Sequence, residues 1–168
     1  MYTICKIILI CAASLIGTTS AFGASLNRKS CSTTSISYCA DAHRITSTPT
    51  FKRSLKVFLG PQASQTINLL HSGILVDQLL EILNGPADKR EILPGNSYLF
   101  TTCHTKACIE GGSIAFDRTG RIIAVAVVTF HCDNSGNQCS NLPALDLFMN
   151  DASPNSVVRQ AIMNWASE

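Results

Sequence analysis

Between residues 98 and 149 four apolar runs alternate with short polar breaks: YLFTTC (98–103), SIAFD (113–117), RIIAVAVVTF (121–130) and ALDLFM (144–149). Their β-branched and aromatic content predicts strands. The breaks carry turn residues: PGN ahead of the first run, RTG between the second and third, DNSGNQ between the third and fourth. Links this short predict an antiparallel meander. The unbroken apolar stretch 122–128 predicts a central strand covered on both faces. Upstream, Val76, Leu79, Leu80 and Leu83 recur at helical spacing while Asp77 and Glu81 fall off that stripe. This predicts an amphipathic helix stopped by Asn84-Gly85-Pro86, with Gly73 dividing the region into two helical pieces. SLKVFLG (54–60) reads as a first strand ending at Gly60-Pro61. Near the C-terminus Ser153 suits an N-cap and Pro154 the first helical position; Val157, Val158, Ala161, Ile162 and Trp165 then form one apolar stripe. The pattern predicts an α+β fold: an antiparallel sheet of four or five strands with helices packed against it.

The chain ahead of residue 55 has a different character. Lys6 precedes the apolar run IILICAASLI and the small residues GTTSAFGA, the order of a secretory signal peptide. The apolar run is about half of the ~20 residues a membrane span needs, so no stable membrane anchor is expected. Residues 1–23 are therefore read as a signal, with cleavage after Ala21 or Gly23, and the mature protein as periplasmic or secreted. Residues 24–54 are rich in Ser and Thr and read as an irregular arm. Residues 55–168 are the expected folded domain.

Export changes the meaning of the cysteines. Cleavage removes Cys5 and Cys11 and leaves Cys31, Cys39, Cys103, Cys108, Cys132 and Cys139. An even number in an oxidising compartment predicts disulfides. They fall into three close couples, so the expected pairing is local: 31 with 39, 103 with 108, 132 with 139. The formal net charge of +2 hides an asymmetry. Residues 22–56 carry six basic side chains against Asp41 alone, a net +5, whereas residues 57–168 sum to −4. No nucleic-acid motif accompanies the basic arm, and nucleic acid is not an expected partner.

The candidate chemistry centres on TTCHTKACIE (101–110). Cys103 and Cys108 bracket His104, Thr105, Lys106 and Ala107, and strands are predicted on either side. The expectation is a disulfide-stapled loop at the sheet rim. A zinc reading would recruit Cys103, His104, Cys108, His131 and Cys132, but structural zinc prefers closer couples and free thiolates. A redox reading wants a Cys-x-x-Cys loop at a helix N-terminus, whereas here the spacing is longer and the flanks are strands. A cysteine nucleophile is disfavoured because all six mature cysteines look paired. Hydrolase elbows, phosphate loops and dinucleotide fingerprints are absent from the sequence. Neither an enzyme nor a cofactor is expected. Asp77, Glu81, Asp88 and Glu91 read as solvated helix and turn positions, and Glu110 and Asp117 as hairpin ends. His43 and His71 read as ordinary surface or half-buried residues, and His131 as a strand-end residue.

The segment GNSYLFTTCHTKACIEGGSIAFD, preceded by a helix-rich region and followed by a long strand, resembles the Ivy family of exported bacterial inhibitors of c-type lysozyme. The resemblance spans roughly 57–165 and is strongest in 97–130. It implies a protruding disulfide loop, Cys103 to Cys108, that enters the active-site cleft of a peptidoglycan-cleaving hydrolase. The family's loop reads Cys-Lys-Pro-His-Asp-Cys. Here Lys106 stands in the place of its His, Ala107 in the place of its Asp, and His104 in the place of its Lys. The implied partner is lysozyme, another cell-wall hydrolase or a toxin protein. The alternative is a periplasmic binding or immunity protein with a different protein partner. A homodimer is left open.

Overall fold

The computed structural model describes residues 30–65, 73–88, 90–103, 110–131, 140–150 and 156–167. The expected signal at 1–23, His71, the loop residues His104, Thr105, Lys106, Ala107 and Cys108, the Cys132–Cys139 couple and the Ser153-Pro154 cap lie outside them.

The meander is present. Strands β1 (Glu91–Leu93), β2 (Ser97–Cys103), β3 (Gly111–Phe116), β4 (Ile122–Thr129) and β5 (Ala144–Met149) pair antiparallel in the order β1-β2-β3-β4-β5. The sheet is thus five-stranded and the fold α+β, as the apolar runs predict. β4 is the long, buried strand expected from 122–128. The edge strand β1 has no strand-like run to announce it. It exists because Gly95 and Asn96, both at positive φ, fold Glu91–Leu93 back on Ser97–Leu99. Register fixes two distinct faces. Phe100, Ile114 and Val125 lie opposite one another across β2, β3 and β4, whereas the next row is Leu99, Ala115 and Ala124.

The face with the larger side chains is covered by three helices: α1 (Ala42–Thr46), α2 (Pro49–Leu59) and α3 (Leu75–Leu83). Here two expectations are corrected. The stretch read as a first strand, 54–60, is the C-terminal half of α2 and the glycine that ends it. Phe51, Leu55 and Leu59 recur every four residues and are buried, while Val57, which a strand would align with Leu55 and Leu59, is 78% exposed. Helical spacing wins because it turns Lys52, Arg53 and Lys56 to water together. From Ile36 onward the arm is likewise not irregular. Asp41 caps α1 by accepting from the Arg44 N–H at 3.1 Å, and Ile36, Cys39, Ala42 and Ile45 enter the same core as α2 and α3. The boundary drawn between 54 and 55 therefore falls inside α2, and the packed unit reaches back into the arm. The Cys31–Cys39 bridge forms as expected. Arg90 fastens the arm to the sheet: its guanidinium donates to the carbonyls of Ser37 and Cys39 and stacks 5.2 Å from the Tyr98 ring.

In α3 the Val76, Leu79 and Leu83 positions are buried, and Asp77 and Glu81 face solvent as predicted. Gln78 is also buried and satisfies its amide by donating to the Gly73 carbonyl at 2.9 Å. The opposite face of the sheet meets α4 (Ser156–Trp165), which buries Val158 and Ile162 against Leu99, Ala115, Ala124 and Ala126. Ala161 and Trp165 lie at the margins of that contact, and Val157 turns further out.

Candidate functional site

The loop proposed from sequence attaches to a closely tied pair of strand ends. Cys103 is the last residue of β2 and lies opposite Gly111, the first residue of β3. Cys103 is disulfide-bonded, and since Cys31 and Cys39 bridge each other, its partner is a cysteine outside the described residues. On its other side Cys103 donates its N–H to the Pro86 carbonyl at 2.8 Å, and Asp88 donates to the Thr101 carbonyl at 3.1 Å. Thr102, buried between them, donates through Oγ1 to the Ile82 carbonyl at the end of α3 (3.0 Å). Gly85 must be glycine for this arrangement, since a Cβ there would stand 2.0 Å from the Cys103 carbonyl oxygen. The base of the 104–109 segment is thus held by β3, by the 86–88 strip and by α3.

The same rim carries polar groups from the neighbouring strands. Glu110, just ahead of β3, accepts from the Phe130 N–H at 3.4 Å. His131 follows β4, and its Nε2 lies 2.6 Å from Asp146 Oδ2 on β5. His131 is therefore a strand-end residue, as expected, with a carboxylate partner that the sequence reading missed. Asp146 stands out as a charge interrupting the apolar run ALDLFM, but the register sets it opposite Val127, so spacing alone does not pair it with His131. His43 lies on the exposed side of α1, as an ordinary surface residue does. Asp117 sits at the far end of β3 from Glu110, so these two carboxylates occupy opposite ends of the sheet.

A groove of about 790 Å³ runs beside the rim, between β1 and α4. Asp88 and Glu91 line one side, Asn164 and Trp165 the other, with Leu99 and Thr101 as its floor. Its Trp165 wall closes on Gly111: a Cβ on that glycine would lie 3.3 Å from the indole. Asp88 and Glu91 are solvated, as the sequence suggests, but they share a concave surface with the chain's one tryptophan. Trp165 could have been singled out from the sequence as the end of the α4 stripe, where an amphipathic ring reaches the edge of the core.

No family model, curated protein or solved structure matches this chain. The site must be read from its own chemistry. Among the described residues no cluster of His, Cys, Asp and Glu could hold a metal ion, and no helix is long and apolar enough to cross a membrane. What remains at this rim is a braced hairpin base that carries a disulfide, flanked by an acidic groove with an aromatic wall. Such a surface can present a short segment to another molecule.

Proposed function

We propose that the chain is an exported protein inhibitor of a peptidoglycan-cleaving hydrolase of the c-type lysozyme kind, which it blocks by inserting the 103–108 loop into the catalytic cleft. The observation that carries this reading is Cys103: disulfide-bonded, at the last position of β2, directly opposite Gly111. The sequence resemblance supplies the target class.

Hydrolases of this class hold two carboxylates in a groove. In this reading Lys106 enters between them and exchanges its hydration for charge-assisted hydrogen bonds. His104 makes a flanking polar contact. A lysine ammonium is strongly hydrated, and burying it is favourable only when it arrives already posed. A cystine closure on fixed stems meets that requirement by reducing the ordering cost. Asp88 and Glu91 in the adjoining groove favour local approach to a basic enzyme at low salt.

The test is a cell-wall lysis assay with c-type lysozyme and the purified mature protein. Stoichiometric inhibition is expected, and Lys106→Ala weakens it about tenfold or more, the loss of one charge-assisted contact, with an unchanged melting curve. Absence of inhibition at micromolar protein overturns the reading. So does a Lys106→Ala variant that inhibits as well as the parent.

A further inference from the structure

The basic character of the arm finds a location at the opposite end of the sheet. There the β3–β4 turn is organised by Asp117. Its Oδ1 accepts from the Thr119 hydroxyl (2.6 Å), the Thr119 N–H (2.8 Å) and the Arg121 N–H (3.0 Å), and its Oδ2 from Arg121 Nε (2.8 Å). Gly120, at φ +84°, lets the arm settle directly on this turn, because a Cβ there would lie 1.6 Å from the Thr33 carbonyl oxygen. Arm, turn and α2 together enclose a cleft of about 560 Å³.

The lining of this cleft is rich in donors. Arg53 comes from α2 and Arg121 from the turn. Hydroxyls come from Thr33, Thr34, Ser54 and Thr119, and an amide from Asn150. No carboxylate lines it among the described residues. The Arg53 guanidinium has no ion-pair or hydrogen-bond partner among them, and the bond Arg121 makes to Asp117 uses Nε, leaving its two terminal nitrogens to face a ligand. Asp117 and Arg118 of the same turn cancel, so Arg53 and Arg121 leave a net +2 among the described residues here. Val57 and Phe58 supply an apolar wall beside the cations.

We propose that this cleft binds a singly charged phosphodiester. A guanidinium fork matches phosphate oxygens. The donors outnumber what the two oxygens of a carboxylate can accept, and Val57 and Phe58 beside the cations suit a phosphate esterified with carbon on both sides rather than a bare phosphate terminus. The apolar wall takes the carbon atoms beside the phosphate. The phosphodiester has two sources, a soluble glycerophosphodiester or the headgroup of an anionic phospholipid. The cleft lies at the end of the sheet remote from Cys103, so this inference stands or falls separately from the inhibitor reading.

The experiment is a two-dimensional amide NMR titration of the mature protein with glycerophosphoglycerol, paired with flotation on phosphatidylglycerol and on phosphatidylcholine vesicles. Expected are shifts of the Thr33, Thr119 and Arg121 amides on titration, reduced by added salt. Arg53→Gln, at an exposed helix position, weakens binding about tenfold. Lys56→Gln, on the same helix but outside the cleft, changes it by less than about twofold. Flotation with phosphatidylglycerol alone, lost in Arg53→Gln, assigns the lipid source; titration shifts without flotation assign the soluble one. The proposal is overturned if neither probe binds in a manner that depends on Arg53, or if Lys56→Gln weakens binding as much as Arg53→Gln does.

Discussion

The two faces of the sheet solve the burial problem differently. On one, Phe100, Ile114, Phe116, Val125 and Val127 share a core with Ile45, Phe51, Leu55, Leu79 and Ile82 from three helices, with the Phe100 and Phe116 rings edge to face at 5.8 Å. On the other, Ala115, Ala124 and Ala126 occupy the equivalent central positions, and one helix reaches them with Val158 and Ile162. Large side chains need several layers of partners and leave little open space. Small ones let a single helix approach closely at the centre of the sheet but cannot fill its edge. The groove between β1 and α4 is the consequence. The thick face is closed by three helices, and the thin face leaves a groove open.

Matched substitutions break or sharpen this contrast. Ile114→Ala, on the thick face, removes a side chain that is fully buried within the cluster shared with three helices. It is expected to cost about 4 kcal/mol, toward the upper end for such truncations, read from denaturant midpoints. Ile162→Ala removes the same atoms from an equally buried site on α4. There α4 can shift toward the alanine rows and the cavity lies near an open groove, so about 2 kcal/mol is expected. Equal losses at the two positions would mean that the faces do not differ in how they support the fold.

The same contrast explains what was legible in the sequence. The β3 and β4 runs were plain because these central strands are buried on both faces, which leaves apolar stretches between turn residues, and the β2 and β5 runs because apolar and aromatic residues dominate them. The C-terminal helix was plain because one face of it buries in a simple stripe. The thick layer was harder to read. Leu55, Val57 and Leu59 alternate as a strand would, and only Phe51 four residues earlier, with Pro49 near the helix start, separates the two periods. The arm escaped because its core residues, Ile36, Cys39, Ala42 and Ile45, are few and scattered among Ser and Thr. Their burial comes from tertiary contact and from the Cys31–Cys39 closure, not from local pattern. At the candidate site, Cys103 and the strands on either side were readable. The bracing by Gly85 and Pro86, the His131–Asp146 pair and the groove depend on chain segments distant in sequence, which no local spacing encodes.

The smallest expected effect belongs to the turn where β3 passes to β4, just beyond the register shift at Ala115 and Phe116. If packing on the thick face carries the fold, this polar turn adds only a modest, pH-dependent share. Burial alone would raise the Asp117 carboxyl. The hydrogen bonds from the Thr119 hydroxyl, the Arg121 backbone and side chain, and the Thr119 N–H outweigh it and hold the pKa below the usual aspartate value. A carboxyl lowered in the folded state contributes stability that is present above its unfolded pKa and disappears as the pH falls through the folded one. Asp117→Asn should therefore cost about 1 kcal/mol near neutrality, since the amide keeps an acceptor but loses the charge. That difference should shrink once the pH drops below about 4 and vanish in stronger acid. Denaturant midpoints of both proteins at neutral and acid pH check this. A deficit independent of pH would show that the ionised carboxylate does not order the turn, and Arg121 would then be held at the cleft by the backbone alone.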